Sequence, residues 1–530
     1  MGKEIGIDFG TTNTVVSYMN KKGKLRQLRY EQNEIIPSVI YFCSEAEYYI
    51  GFKAKKLLEN NPAAGMENFK LGIADSERHE IISEDGKKFK KRSREIAQLF
   101  LNKIVRGMQD KLLKEFGAVD GSIDRAVITV PANFSSTAKG NTRQAARAAG
   151  LNDVKLAAEP TAAAIAYEDS QGEENSNSTI LVYDFGGGTF DVSIIRRKGG
   201  AFEEITTDGK KLGGKDLTNI LAEEILEQIN SDYGLELPFD VDENDFDEDE
   251  HNMSFTEYRQ NMHEIRRVAN LIKENLSESE SASEVLNFYL SKDKSELVKV
   301  DFSREELENY LRQNIEKTVE ITMNTIQRAK DEKGVEKIDQ IVLAGGSSNI
   351  PLVKEILEQR LQNQDIVFAD DVSTLISRGA AVLAKRYSEI DKLSKAVTTV
   401  QMGTVATEGV QFGKFQVLIP ADEPLPCTRR KTFYLSQENL KRGRIEIKYY
   451  ERDIKNFPNA IFARDEGIEE IDSVVVENLP QNVSSDNIQI EVEFTAQKDG
   501  SLDIKVELKD RRGNKIQSEN MRVEKKSDLE

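Results

Sequence analysis

Two stretches far apart in the chain share one pattern: residues 180–195 read ILVYDFGGGTFDVSII, and residues 5–18 read IGIDFGTTNTVVSY. Each is an apolar strand that ends near an aspartate, followed by a turn of Gly and Thr and then by a second β-rich run. A strand, a tight turn and a strand form a hairpin whose tip carries the Gly and Thr residues. A hairpin repeated in this way predicts two related lobes.

The segments around these hairpins alternate between strands and helices, which is typical of α/β architecture. Helical spacing covers residues 217–229 and 305–329, and an alanine-rich helix over 138–149 follows a buried strand at 127–131. Beyond residue 395 the pattern changes to alternating apolar and polar positions, as in 488–494 and 502–508. We therefore predict an α/β part followed by a separate all-β domain of roughly 120 residues.

Composition excludes several classes of protein. The chain has 530 residues and a net charge of −19, so it would repel a nucleic-acid backbone. Its two cysteines, Cys43 and Cys427, are no disulfide framework, and with three histidines they supply no zinc site. There is no apolar run long enough to span a bilayer and no apolar signal core at the N-terminus. We expect a cytoplasmic protein without nucleic-acid or membrane partners.

The two hairpin tips suit phosphate binding. Glycines allow backbone N–H groups to approach an anion closely, and threonine hydroxyls add donors. Asp8 and Asp184 cannot bind phosphate directly, but they can hold Mg²⁺ or its waters. Two facing tips would bind a triphosphate from both sides. The alternative, a plain glycine-rich turn, is reasonable for one copy but much less so for two copies with matching aspartates.

Two further segments point to the same chemistry. Residues 341–348 read IVLAGGSS and precede a helix that we expect to open at Pro351, an arrangement similar to a cradle for a nucleotide base or sugar. Glu159 and Pro160 begin a helix of small residues, where the carboxylate is either a plain helix start or a group that orients a water. No Walker A motif is present, which argues against a simple P-loop enzyme.

Taken together and in this order, these motifs resemble the DnaK-type chaperones, the 70-kilodalton heat-shock family of the actin and sugar-kinase superfamily. The matching segments are 8–12, 127–132, 159–167, 183–193, 212–217 and 341–350. The resemblance implies an actin-like two-lobed ATPase domain at 1–388, a linker at 389–398, a β-sandwich peptide-binding domain at 399–523 and a charged tail at 524–530. Because the family continues into a helical lid where this sequence ends, we expect a divergent member that lacks the lid.

The resemblance also implies ATP or ADP and Mg²⁺ as ligands and assigns roles to individual residues. Metal binding falls to Asp8 and Asp184, and catalysis to Lys70, Glu159, Thr189 and Asp191. Nucleotide binding falls to Gly10, Thr11, Thr12, Asn13, Gly186, Gly187, Gly188, Thr189, Gly213, Gly214, Lys273, Ser277, Gly345, Gly346 and Ser347. Pro131 and Lys139 match an interdomain switch, and Phe433, Ile445 and Ile447 match a peptide groove. From spacing alone, Lys70 could be an ordinary surface lysine and the last three residues could be plain sandwich core.

The sequence departs from the family in places that bear on function. Glu274 and Asn349 stand where two arginines usually sandwich the adenine, which predicts weaker nucleotide binding. Lys139 replaces an arginine and keeps its charge without its planar fork. The linker is mostly polar over 391–397, where the family has an aliphatic run that ends in aspartate, and this argues against strong coupling through it.

Our first hypothesis is an ATP-dependent chaperone whose hydrolysis of Mg-ATP modulates binding of unfolded polypeptide. The resemblance would then imply a J-domain co-chaperone and a nucleotide-exchange factor as partners. The alternative is a nucleotide-gated binding module with little turnover that recognises one dedicated protein partner. A sugar or acid kinase of the same superfamily is a third reading, which the appended sandwich domain disfavours.

Overall fold

The computed structural model describes most of the chain. The described residues are 3–116, 122–132, 134–171, 177–243, 245–361, 365–368, 372–390, 394–395, 398, 401–408, 411–421, 423–435, 437–452, 459–480, 488–497 and 502–523. In this part of the chain the structure has 27 strands and ten α-helices. No helix there is both long and apolar enough to cross a membrane.

The strands are β1 (Glu4–Phe9), β2 (Asn13–Met19), β3 (Leu25–Gln27), β4 (Ile35–Pro37), β5 (Val39–Phe42), β6 (Tyr48–Ile50), β7 (Gly65–Glu67), β8 (Arg78–Ile82), β9 (Lys88–Arg92), β10 (Arg125–Val130), β11 (Val154–Ala158), β12 (Ser178–Phe185), β13 (Phe190–Lys198), β14 (Ala201–Lys210), β15 (Ser281–Ser291), β16 (Lys294–Ser303), β17 (Gln340–Ala344), β18 (Asp365–Phe368), β19 (Ser394–Lys395), β20 (Gln401–Glu408), β21 (Gln411–Ile419), β22 (Cys427–Tyr434), β23 (Arg444–Arg452), β24 (Ile468–Glu477), β25 (Ile488–Ala496), β26 (Leu502–Asp510) and β27 (Lys515–Val523). The helices are α1 (Gly51–Asn60), α2 (Ser93–Phe116), α3 (Ser136–Ala148), α4 (Glu159–Gln171), α5 (Gly214–Tyr233), α6 (Phe255–Glu278), α7 (Arg304–Lys333), α8 (Pro351–Arg360), α9 (Leu375–Lys385) and α10 (Gln437–Arg442).

Two six-stranded sheets have the same internal order. The first runs β11-β10-β1-β2-β3, with β4 on β2, and the second runs β18-β17-β12-β13-β14-β19. In each, the strand before the Gly/Thr turn pairs antiparallel with its hairpin partner and parallel with the strand on its other side. The repeated hairpin predicted from the sequence is thus confirmed, and each copy lies at the centre of its own sheet.

A layer of helices α4 and α9 lies between the two sheets. Both helices share one apolar cluster with Val127 of the first sheet and with Val182 and Val342 of the second. The crossing is close, because a Cβ on Gly379 would overlap the backbone carbonyl of Ala162. This confirms that the small residues of both helices serve close packing. It also ties α4, which begins with Glu159, to both hairpins.

The helices that cover the second sheet begin and end at capping residues. Ser254 caps α6 and Ser303 caps α7, each with a glutamate three residues later that bonds back to it. Helix α7 ends at Gly334, whose φ of 62° is the left-handed conformation that glycine adopts readily. The helices predicted over 217–229 and 305–329 are confirmed, and each extends further at both ends than its apolar spacing indicated.

The C-terminal strands form two four-stranded sheets, β21-β20-β23-β24 and β22-β25-β26-β27. Residues of both sheets contribute to one core, for example Tyr449 and Val476 from the first and Phe494 and Val506 from the second. Strands β25 and β26 pair antiparallel, and buried and half-buried positions alternate along each of them. The hairpin with one buried face predicted over 488–508 is therefore confirmed.

Part of the predicted linker 389–398 is described. Strand β19 extends the second sheet by pairing in parallel with β14, with Ser394 opposite Phe202 and Lys395 opposite Glu203. Residues 391–393 and 396–397 lie outside the described residues, as does the predicted tail at 524–530. A backbone ladder needs no apolar side chains, so a polar segment can pair in this way.

Candidate functional site

The tips of the two central hairpins touch each other. A Cβ on Gly187 would overlap the Thr12 hydroxyl, and one on Gly188 would press on the Thr11 side chain. Glycine is required here because the opposite tip leaves no room for a side chain. The two tips therefore face each other, which is the condition for binding a triphosphate from both sides; Gly10 and Gly186 lie in the same two turns, and Asn13 begins β2.

The loop before α5 is bonded to the second tip. The Gly214 N–H donates to the Gly186 carbonyl at 3.0 Å, and the Lys215 N–H donates to the Gly187 carbonyl at 2.8 Å. A Cβ on Gly213 would overlap the backbone of Gly188. Gly213 and Gly214 therefore lie directly behind the second tip.

The third glycine segment reaches the same place from β17. The Ser347 hydroxyl donates to the Gly186 carbonyl at 2.9 Å. Gly345 has a φ of +78°, and a Cβ there would overlap the Asp184 carboxylate and the Phe185 backbone. Gly346 begins the short 3₁₀-helix that follows. The first tip, the loop at Gly213 and Gly214, and the segment that begins at Gly345 thus meet around the second hairpin tip.

Lys273 of α6 anchors the start of α5. Its ammonium donates to the Gly214 carbonyl at 2.8 Å and to the Thr218 hydroxyl at 2.6 Å. Burial lowers the pKa of Lys273 to about 8, although the carboxylate of Glu274 opposes this shift. Ser277 lies one turn further along, and its hydroxyl donates to the Lys273 carbonyl at 3.1 Å within the same helix.

Lys70 and Glu159 form a buried ion pair. The Lys70 Nζ atom lies 2.7 Å from Glu159 Oε1, and the two side chains are 2% and 9% exposed. The rings of Phe9 and Phe134 lie 5.8 and 5.4 Å from the ammonium. The alternative of an ordinary surface lysine at position 70 is therefore wrong.

Three aspartates surround this ion pair, and all have a raised pKa. Burial first, and then the charge of Glu159, raises the pKa of Asp8 to about 7 and that of Asp191 to about 7. Burial and the charges of Glu159, Asp191 and Asp8 raise the pKa of Asp184 well above its usual value. Thr189 donates to Asp191, which favours the ionised carboxylate.

The charge balance of this site fits a divalent cation. Four carboxylates act on one another, and among the described residues the positive charge that most offsets them is the ammonium of Lys70. Within the described residues no three His, Cys, Asp or Glu side chains stand close enough to enclose a metal ion. A magnesium ion would therefore take most of its ligands from water and phosphate, as it commonly does.

The two residues of the predicted interdomain switch flank Phe134, which covers Lys70. Pro131 is buried at the end of β10, and its carbonyl accepts from the Phe134 N–H at 3.2 Å. Lys139 lies on α3, where burial lowers its pKa against the opposing charges of Glu204 on β14 and Glu451 on β23. Helix α3, strand β14 of the second sheet and sandwich strand β23 therefore interact electrostatically at Lys139.

The predicted peptide-groove residues belong to the sandwich core or its margin. Ile447 is 9% exposed and part of the core cluster, whereas Phe433 and Ile445 are half-buried and pack against it. Ile447 is therefore a core residue, in agreement with the alternative stated above. Phe433 and Ile445 lie at the edge of the core, where part of each side chain is exposed.

Several residues of the site escaped sequence reasoning. Thr129 donates to Asp8 at 3.1 Å, Phe134 covers Lys70, and Asn270 accepts from Lys273 at 3.1 Å. Thr129 had a signal, because it is the one polar residue in the apolar run 126–130. Phe134 and Asn270 have no such signal in the sequence, since only the fold brings them to the site.

Comparisons with known proteins identify the family of this chain. The family described as Hsp70 protein matches residues 4–530. The chain is 30% identical over 526 residues to the chaperone protein DnaK of Mycoplasma mobile, covering 98% of this chain and 78% of that protein.

Two other relatives are similar at a comparable level. Identity is 28% over 464 residues to the chaperone protein DnaK of Mycoplasmopsis agalactiae, covering 86% of this chain and 70% of that protein. It is 28% over 474 residues to the chaperone protein dnaK1 of Prochlorococcus marinus, covering 86% and 66%. Since the family match spans nearly the whole sequence, the chain belongs to the Hsp70 family.

Proposed function

We propose that this chain is an ATP-dependent molecular chaperone that hydrolyses Mg-ATP between its two central hairpins and thereby controls binding of unfolded polypeptide. Membership of the Hsp70 family supports the ATPase and chaperone activities directly. The family architecture is an actin-like ATPase joined to a β-sandwich, and the mixed α/β sheets and the C-terminal sandwich are compatible with it. The assignment of single residues is our own inference from the site.

The observation that carries the proposal is the buried Lys70–Glu159 ion pair beside three aspartates of raised pKa. Phosphoryl transfer to water requires charge neutralisation and positioning more than covalent chemistry by the protein. The Lys70 ammonium would neutralise charge on the transferred phosphoryl group. Glu159 and Asp191 would orient the attacking water, and Asp191, with a pKa of about 7, can accept a proton near neutral pH.

The backbone around the tips supplies the phosphate site. The turns that contain Thr11, Thr12 and residues 186–189 place glycines and hydroxyls opposite each other, so that N–H groups can converge on the phosphates. Asp8 and Asp184 would hold Mg²⁺ through its waters, and the ion would supply charge neutralisation to the phosphates. The segments at Gly213–Gly214, Lys273–Ser277 and Gly345–Ser347 would hold the nucleoside.

Binding of unfolded polypeptide is assigned to the sandwich domain. Phe433 and Ile445, half-buried at the margin of the core, are the residues we expect an extended chain to contact. A J-domain co-chaperone and a nucleotide-exchange factor remain proposed partners on the strength of family membership.

Single-turnover hydrolysis of ATP with Mg²⁺ tests the assignment. Lys70→Ala should lower the rate at least about 100-fold, because removing one donor that stabilises transition-state charge typically costs that much. Lys88→Ala is the control, since Lys88 is an exposed lysine whose ammonium lies 3.7 Å from the exposed Glu80. A Lys70→Ala rate equal to that of the wild type would refute the assigned role.

A further inference from the structure

The turn that carries Lys70 lies between two core residues, Phe69 and Ile73, and its backbone is held by a small number of hydrogen bonds. Within residues 68–73, the Leu71 N–H donates to the Asn68 carbonyl at 3.0 Å and the Ile73 N–H donates to the Lys70 carbonyl at 3.2 Å. Lysine reaches its partner through a flexible four-carbon chain. The position of the ammonium against Glu159 therefore depends on where this turn is held.

Helix α3 holds the turn at its far end. Asn141 is buried at 3% exposure, and its Nδ2 atom donates to the Ile73 carbonyl at 2.7 Å. The same helix follows directly on Phe134, whose ring lies 5.4 Å from the Lys70 ammonium. The segment from 134 to 141 thus contacts both the side chain of Lys70 and the turn that positions it.

Burial of the Asn141 side chain between α3 and the Lys70 turn has an energetic cost. Its Oδ1 atom is buried and has no hydrogen-bond partner among the described residues. Burying an unsatisfied acceptor has a desolvation cost, which offsets part of what the amide gains by donating to the Ile73 carbonyl. What the amide does provide is a directional bond to the Lys70 turn.

We propose that Asn141 is a positioning residue for Lys70: its amide ties the Lys70 turn to helix α3, so that the position of this helix sets the distance between the ammonium and the reacting phosphate. The inference rests on the proposed role of Lys70 in hydrolysis. Lys139, which interacts with Glu204 and Glu451, lies on the same helix. Contacts made at Lys139 and the geometry at Lys70 are consequently joined by one rigid element.

The test compares Asn141→Leu with Thr142→Val in single-turnover ATP hydrolysis. Leucine matches asparagine in size and removes both the donor and the unsatisfied acceptor. Thr142 is the matched control, because it is equally buried but its hydroxyl donates to the Ala138 carbonyl within α3. We expect Asn141→Leu to lower the hydrolysis rate about tenfold with less than a twofold change in ATP affinity, since small misplacements act on the chemical step. Thr142→Val should leave both unchanged.

Two further measurements separate positioning from a general loss of structure. Amide hydrogen exchange over residues 68–73 should accelerate in Asn141→Leu and not in Thr142→Val. Asn141→Leu leaves the buried Ile73 carbonyl without its donor and should lower the unfolding midpoint, but both variants should remain folded at the temperature of the hydrolysis assay. On a Lys70→Ala background, Asn141→Leu should have no further effect on the residual rate. Asn141→Ala serves if the leucine variant does not fold.

The outcomes for this inference and for the proposed function are distinct. If Lys70→Ala hydrolyses ATP at the wild-type rate, the proposed function fails. If Lys70→Ala is slow but Asn141→Leu keeps the wild-type rate, or slows the Lys70→Ala background equally, only the role of Asn141 is overturned.

Discussion

Asp8 and Asp191 make the stability of the free protein depend on pH in a direction opposite to that of most carboxylates. Each has a pKa of about 7 in the folded chain, compared with 3.8 for an unperturbed aspartate, and burial is the main cause. Between these two values the folded protein binds protons that the unfolded chain does not. The contribution of these two groups to the free energy of unfolding therefore decreases as the pH rises through this window.

We expect the unfolding midpoint, without nucleotide or Mg²⁺, to rise as the pH is lowered from 7.5 to 5.5. Circular dichroism suits this measurement because the chain has no tryptophan. Asp191→Asn should reduce the pH dependence, since the amide does not titrate. A midpoint that is flat or falls over this range, or an unchanged slope in Asp191→Asn, would contradict the assigned cause.

At the level of elements, α4 carries a buried ion pair at each end. Glu159 at its start pairs with Lys70, and Glu168, nine residues or about 13 Å further on, pairs with Arg197 of β13. Both members of the second pair are buried, and the Ser178 hydroxyl donates to Glu168 at 3.0 Å. Such a pair is weak evidence for stability by itself, because desolvation of two charges offsets their attraction.

Removing one partner of the Glu168–Arg197 pair should destabilise the fold far more than replacing both partners with apolar residues. Glu168→Gln leaves the buried Arg197 charge without its carboxylate and should destabilise the fold by about 3–5 kcal/mol. The double variant Glu168→Leu, Arg197→Met should unfold close to the wild type in urea. Equal losses in the single and double variants would show that the pair itself stabilises α4.

Elements whose pattern is local could be predicted from the sequence, whereas contacts between distant segments could not. The repeated hairpins, the helix that opens at Pro351 and the β25–β26 hairpin each have a periodicity or a breaker in their own residues. The Asn141–Ile73 bond joins residues 68 positions apart, and neither has a local signal. Matching motifs to a family placed Lys70 correctly even though its spacing alone favoured a surface residue.

At the scale of the whole molecule, part of the predicted linker pairs with the second sheet. The polar sequence argues against strong coupling through apolar side chains, and Ser394 and Lys395 add a sixth strand beside Phe202 and Glu203 through their backbone. A backbone ladder accounts for this, because its hydrogen bonds do not depend on side-chain polarity. If the β14–β19 ladder couples peptide binding in the sandwich to ATP hydrolysis, then changing the backbone of β19 should interrupt this coupling, whereas changing its side chains should not.

Proline substitution separates the role of the β19 backbone from that of its side chains, because proline removes a backbone N–H donor and cannot continue a ladder. Ser394→Pro, Lys395→Pro should abolish the stimulation of steady-state ATP hydrolysis by an unfolded peptide and leave the unstimulated rate within about twofold. Ser394→Ala, Lys395→Ala, which changes the side chains and keeps the N–H groups, should preserve the stimulation. Stimulation that survives the proline pair would exclude this ladder as the coupling element. A wild-type protein that hydrolyses ATP without any response to peptide would instead favour a nucleotide-gated binding module with one dedicated partner.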